Sequence, residues 1–228
     1  VANYTQADVD GELLALAPRE NDKRKSFRAD GITTTASALA NRAILAHYQP
    51  HAWNVPVDDR YGPIEAFYDY ALLARAIARK MDRGDTESSK EQWIRAAVKT
   101  GGHHVQEISS YRPMSARVQV ERLCPPGGLV LDPSAGWGGR MAGTIAAGRR
   151  YIGLEPFDLT FVGLKRLASD LARLYDLGEN AIHLHESGSQ EWDGWTVWRG
   201  KVALVLSCRG DEDQAPRPPA HLRQSARD

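Results

Sequence analysis

Two carboxylates, Asp132 and Glu155, stand where this sequence could do chemistry. Asp132 ends the apolar run Leu129-Val130-Leu131 and leads into Pro133-Ser134-Ala135-Gly136-Trp137-Gly138-Gly139-Arg140. Glu155 ends a second run, Tyr151-Ile152-Gly153-Leu154, and is followed by Pro156. A short continuous apolar run reads as a parallel strand buried on both faces. Open α/β sheets bind ligands outside the carboxyl ends of such strands, where both acids stand. Gly136, Gly138 and Gly139 allow positive φ and a close approach of backbone to ligand. A carboxylate at Glu155 can accept both hydroxyls of a ribose. One at Asp132 repels a pyrophosphate and suits an ammonium group.

The turn departs from the common nucleotide loops. Its spacing, Gly136-x-Gly138-Gly139, is not Gly-x-Gly-x-x-Gly, and Arg140 follows where a phosphate cradle has a lysine and a hydroxyl residue. Taken singly, Asp132 reads as a strand-end cap and Glu155 as a surface acid. Together, on consecutive strand ends, they read as a cofactor site.

The segments from Val130 to Arg140 and from Tyr151 to Pro156 resemble the first two motifs of class I S-adenosylmethionine-dependent methyltransferases. They are most similar to the enzymes that methylate the exocyclic amino group of adenine or cytosine in DNA, phage-type members included. Tyr111-Arg112-Pro113 resembles the segment that packs beside the methionine end of the cofactor in that group. The good match spans about residues 109–160, with a looser one to about 207. The resemblance implies a Rossmann-like sheet with S-adenosyl-L-methionine as cofactor. Asp132, Ser134, Gly136 and Gly138 would line its methionine and ribose side. Pro133, Ala135, Trp137, Gly139 and Arg140 complete the same turn, and Tyr111 and Arg112 stand beside it. Glu155, with Pro156 next to it, would hold the ribose. In the same pattern the loop after the third strand approaches the adenine, so Ser189 and Gln190 are candidates to bond its amino group. DNA is the implied substrate and the cytoplasm of a bacterial or phage-infected cell the implied compartment. The resemblance implies neither a metal nor a membrane, and it leaves the oligomeric state open.

The family pattern stops at the next strand. Lys201-Val202-Ala203-Leu204-Val205-Leu206-Ser207 reads as a fourth strand whose end should carry a polar residue, then Pro-Pro, then an aromatic. The polar side chain would accept a hydrogen bond from the target amine while the ring stacks on a flipped base. Here the sequence is Ser207-Cys208-Arg209-Gly210, so Ser207 alone matches as the catalytic candidate. The stretch 208–228 has one large aliphatic residue, Leu222, and a composition that reads as disorder. Against the seven strands of the family, the sheet is incomplete, as in a truncated or frame-shifted relative with impaired catalysis. Two other readings stand beside the DNA enzyme. One is a non-catalytic cofactor-binding remnant or interaction protein. The other is a methyltransferase for RNA, protein or a small molecule.

The elements that must position these residues follow from periodicity. The expected organisation is a helical region over 1–105, an α/β domain over 106–207 and a disordered tail over 208–228. Residues 1–33 are polar and weakly periodic, with a basic run, Asn21 to Arg28, that reads as a solvated loop or a phosphate-contacting arm. Thr35–Tyr48 has helical spacing and ends before Pro50. Pro63 opens a helix with the stripe Ile64, Phe67, Ala71, Ala74 and Ile77, ending at Gly84. Ser88 and Glu91 form a capping-box pattern for a helix to Gly101. After the Gly101-Gly102-His103-His104 break, short strands alternate with helices, the α/β signature. Helices are predicted from Pro113 to about Leu123, from Gly139 to a cap at Gly148, and over Leu159–Leu177. Ala181–His185 reads as a third strand, with His183 and His185 on one face as ordinary rather than ligating histidines. Trp192, Trp195 and Trp198 read as a hairpin on the sheet edge, with base stacking as the alternative.

Composition sets the outer limits. The chain of 228 residues is 42% hydrophobic and 25% charged, ordinary for a globular protein. Its 29 basic and 29 acidic residues cancel, so a surface for nucleic acid must be local. Two cysteines, Cys124 and Cys208, without metal-ligand spacing fit a reduced, cytoplasmic chain. No apolar run approaches the ~18 residues of a membrane span.

Overall fold

The computed structural model describes residues 5–19, 39–54, 63–82 and 110–207. The chain divides into two compact units, Val1–Pro50 with Ser110–Cys208, and His51–Ser109 with Arg209–Asp228. In chain order the helices are α1 (Gln6–Leu14), α2 (Asn41–Ala43), α3 (Pro63–Tyr68), α4 (Tyr70–Asp82), α5 (Pro113–Leu123), α6 (Gly139–Ala146), α7 (Asp158–Leu174) and α8 (Trp195–Trp198). The strands are β1 (Leu129–Asp132), β2 (Arg150–Leu154), β3 (Ile182–His185) and β4 (Leu204–Val205).

Among the described residues, four strands form one all-parallel sheet in the order β3-β2-β1-β4. Leu129 pairs with Arg150, Tyr151 with Ile182 and Val130 with Leu204. The chain builds outward from β1 through β2 to β3, then returns to the other side of β1 for β4. The sheet therefore has its switch point between β1 and β4, where an open α/β sheet has its crevice. Alternation along the strands puts Asp132 and Tyr151 on one face and Leu129, Leu131, Ile152 and Leu154 on the other. Every β1 residue is buried, as its apolar sequence demands. Val205 is 56% exposed, and β4 is two residues long where the sequence suggests seven.

Helices α5, α6 and α7 pack with one face of the sheet. The predicted stripe of α7 is present, with Leu164, Leu167 and Leu171 fully buried. α5 and α6 pack so closely that a Cβ on Gly143 would lie 2.3 Å from the Pro113 carbonyl oxygen. The opposite face is covered by Trp192, from a loop, and Trp198, from the short helix α8 that follows it, rather than by a hairpin.

The amino-terminal segment, expected within a helical region over 1–105, packs on the helices that flank the sheet. α1 is capped by a reciprocal Thr5–Asp8 box and buries Val9 and Leu13, with Leu16 beyond its end, against the core of α7. Arg117 of α5, itself fully buried, donates from Nη1 to the Leu16 and Ala17 carbonyls at 2.5 and 3.0 Å. Arg173 of α7 reaches Asp10 at 2.8 Å. Residues 5–19 and 39–50 thus share a compact unit with the sheet. The helix expected over Thr35–Tyr48 is described from residue 39 as α2 continuing into a π-turn, Ile44–Tyr48.

In the second unit, the single helix expected after Pro63 is α3 and α4, interrupted at Asp69. The Asp69 amide still donates to the Glu65 carbonyl, and the Leu73 amide donates to that of Asp69. Of the expected stripe, Phe67, Ala71 and Ala74 are exposed. The basic run, the helix from Ser88, the histidine pair at 103–104 and the stretch 208–228 lie outside the described residues.

Candidate functional site

The turn after β1 is built from backbone geometry. Gly136 has φ +53° and Gly138 φ +89°, left-handed values that favour glycine. The Gly138 amide donates to the Ala135 carbonyl, and the Ala135 amide donates to Leu154 at the end of β2. Gly139 opens α6 where a Cβ would collide with the Tyr111 carbonyl oxygen. The turn is thereby held between β2 on one side and the Ser110–Tyr111 segment on the other.

Asp132 is 0% exposed and both its oxygens are engaged within the protein. Oδ1 accepts the Ser134 amide at 3.2 Å. Oδ2 accepts Arg140 Nε and the Tyr151 hydroxyl, each at 2.8 Å. Burial, and then the Asp132 charge, push the Tyr151 phenol well above its ordinary value, so it remains the donor. Arg140, 5% exposed, also donates from Nη2 to the Ser134 carbonyl and hydroxyl, and its guanidinium lies 5.3 Å from the centre of the Tyr111 ring.

Glu155 is 8% exposed and spans two segments. Its Oε2 accepts the Gly136 amide at 2.9 Å and its Oε1 the Phe157 amide at 3.1 Å. Burial raises the pKa of this carboxyl, and the two amides act against that rise. Each oxygen retains acceptor capacity beyond the one bond it makes.

Ser207 follows β4 and is exposed, its Oγ 3.5 Å from that of Ser134 across the switch point. The Leu206 amide donates to the Leu131 carbonyl and fixes this position beside β1. The structure thus brings Asp132, Ser134, Arg140, Tyr111 and Ser207 to one lip of the sheet. Arg112 and Pro156 are exposed nearby in sequence, and Pro133 and Trp137 are half-buried.

A further open cleft of about 630 Å³ lies at the carboxyl end of β3, lined by His185, Glu186, Ser187, Trp192, Val197 and Trp198 among others. It adjoins Glu155, whose amide donates to the His185 carbonyl. Ser189 and Gln190 belong to the same loop but do not line the cleft; the Ser189 carbonyl accepts the Trp195 indole N–H at 3.2 Å. His185 Nε2 is buried with no hydrogen-bond partner, and its ring lies 5.2 Å from that of Trp192. Desolvation, then the neighbouring His183, lower the His185 pKa against a rise from Asp193, so the ring is neutral near pH 7. Sequence reasoning gives Tyr151 no place in the site, reads His185 as an ordinary histidine, and offers Trp192 a base-stacking role only as the alternative to a hairpin. Strand alternation alone places Tyr151 beside Asp132 once β1 and β2 are paired in parallel register.

Among the described residues, no group of three or more His, Cys, Asp or Glu side chains could hold a metal ion. No helix among them is long and apolar enough to cross a membrane. Fold and turn together define the class: an open parallel α/β sheet with a glycine turn at its switch point. No protein-family model matches the chain, and no curated protein and no solved structure matches it.

Proposed function

We propose that this chain binds S-adenosyl-L-methionine at the carboxyl ends of β1 and β2 and is a methyltransferase for an exocyclic amino group of a DNA base. The observation that carries the reading is Glu155 tied to Gly136: an acid on one strand end fastened to a positive-φ glycine turn on the next, beside the switch point. The residues suit the group. The bare turn leaves room for a close approach, and Glu155 keeps acceptor capacity for a ribose diol. The unpartnered His185 nitrogen beside Trp192 offers a polar point and a flat wall for a heterocycle.

When bound, the cofactor supplies a sulfonium methyl group to a nucleophile. The protein's part is placement. Ser207, at the lip, can accept a hydrogen bond from an amine and aim its lone pair. The choice of a DNA base rests on the resemblance of the two strand-end motifs and on Ser207 at the expected strand end.

The second reading, a cofactor-binding protein without transferase activity, is favoured by one observation. Cys208-Arg209-Gly210 stands after Ser207 instead of Pro-Pro and an aromatic. Titration calorimetry with S-adenosylmethionine separates these. Wild type is expected to bind, and Glu155→Ala to weaken binding about tenfold or more, as loss of a charge-assisted pair does. Absence of heat with wild type overturns the cofactor reading. With binding in hand, methyl incorporation into adenine- or cytosine-containing DNA supports the transferase, and its absence leaves the non-catalytic protein.

A further inference from the structure

Resting on the cofactor reading above, we infer that Asp132, Arg140 and Tyr151 are positioning residues: they hold Ser134 at the lip of the sheet, and none of them touches the ligand. For the acid, the resemblance points the other way, to a carboxylate that lines the methionine side. The structure encloses all three. Asp132 and Tyr151 are 0% exposed and Arg140 is 5% exposed. The two Asp132 oxygens accept the Ser134 amide, Arg140 Nε and the Tyr151 hydroxyl. Turning either charge toward a ligand would strip the other of its partner inside the protein.

What the pair does is visible at Ser134. All three polar groups of this exposed residue run back to it. The Ser134 amide donates to Asp132 Oδ1 at 3.2 Å, and the Ser134 carbonyl and hydroxyl accept from Arg140 Nη2. Tyr151 donates to the same Oδ2 that takes Arg140 Nε, which anchors the brace in β2. A buried ion pair adds little to stability, because desolvation offsets the attraction. A lysine would keep the charge of Arg140, but only a planar fork reaches an acid and a second acceptor together. The arrangement therefore supplies geometry. The residue it fixes is the one at the crevice: Ser134 Oγ stands 3.5 Å from Ser207 Oγ across the switch point. At this turn the ligand meets hydroxyl and backbone groups, and the charges stay behind them.

The test uses the full chain, two readouts and two ligands. The readouts are hydrogen exchange of the Ser134 amide without ligand, and titration calorimetry. The ligands are S-adenosylhomocysteine and 5′-methylthioadenosine, which lacks the amino-acid end; the weaker is read by displacement. Arg140→Lys keeps the charge beside Asp132, so its urea midpoint should stay near that of wild type. Its Ser134 amide should exchange about tenfold faster, the effect of one weakened hydrogen bond. Both ligands should lose affinity by the same factor, about tenfold. Asp132→Asn should also weaken both ligands equally. The doubly neutral Asp132→Asn, Arg140→Gln protein carries that arm if Asp132→Asn alone does not fold, which circular dichroism reads. A loss confined to S-adenosylhomocysteine in any variant places a charged group on the ligand and overturns the inference. Unmoved Ser134 exchange in Arg140→Lys overturns it too, as does full affinity for both ligands in that variant. If wild type binds neither ligand, the cofactor reading falls, and the exchange rates still decide whether the pair holds Ser134.

Discussion

At the scale of single residues, the site is a set of ionisable groups whose partners decide their roles. Asp132 and Glu155 look alike in the sequence, each an acid at a strand end. The fold separates them. Asp132 serves a buried cation and a phenol, whereas Glu155 ties two backbone amides and keeps acceptor capacity. His185 is the residue whose state can be followed directly. Its folded pKa lies below the ordinary 6.5, because burial disfavours the imidazolium. The unfolded chain therefore binds the proton more readily in that window. The fold loses stability through this group as pH falls from 6.5 toward the depressed value, and is not penalised above 6.5. With the Trp192 ring 5.2 Å away, tryptophan emission should show a quenching step with its midpoint below pH 6.5. The step should vanish in His185→Asn. A midpoint at or above 6.5 contradicts a neutral, desolvated ring.

At the scale of elements, close packing of α5 on α6 sets the height of the glycine turn. A Cβ at Gly143 would stand 2.3 Å from the Pro113 carbonyl oxygen and 2.7 Å from the Arg117 amide nitrogen, backbone atoms that cannot swing away. Gly143→Ala should cost about 1–3 kcal/mol or more by overpacking. Gly11→Ala, in α1 with nothing within 4 Å, should gain about 0.5–1 kcal/mol. Chemical denaturation midpoints measure both, and equal shifts would contradict the packing argument. The same elements show what the sequence makes legible. β1, β2, α6 and α7 are readable because each has an apolar run or a stripe with glycine punctuation, and β3 because Ile182 and Leu184 alternate with two histidines. α1 is not, because buried Val9, Leu13 and Leu16 stand among other apolar residues, such as exposed Leu14, that blur the period, and their worth appears only against α7. The tryptophans show a related ambiguity: residues 195–198 form a single helical turn, and Trp192 covers the sheet from the loop before it. The strand-end acids were visible, but their hydrogen bonds depend on register, which no single strand encodes.

At the scale of the molecule, the sheet and the described amino-terminal residues form one compact unit, so they should unfold together. Leu13 is fully buried among α7 side chains. Leu13→Ala should cost about 2–5 kcal/mol and shift the whole denaturation curve of the sheet, read by tryptophan fluorescence. A separate early transition, with the sheet midpoint unmoved, would show α1 to be an independent appendage. The order β3-β2-β1-β4 has a temporal consequence as well. β1 and β2 meet across one short helix, whereas β4 closes on β1 only after the whole of β2, α7, β3 and α8 has been threaded. Each doubling of such a loop adds about 0.6 kcal/mol of closure entropy, and long-range pairings form slowly. The Glu155 half of the crevice is therefore assembled early and the Ser207 half last, so a ligand gripping the first half can arrive before the lip that would act on it exists.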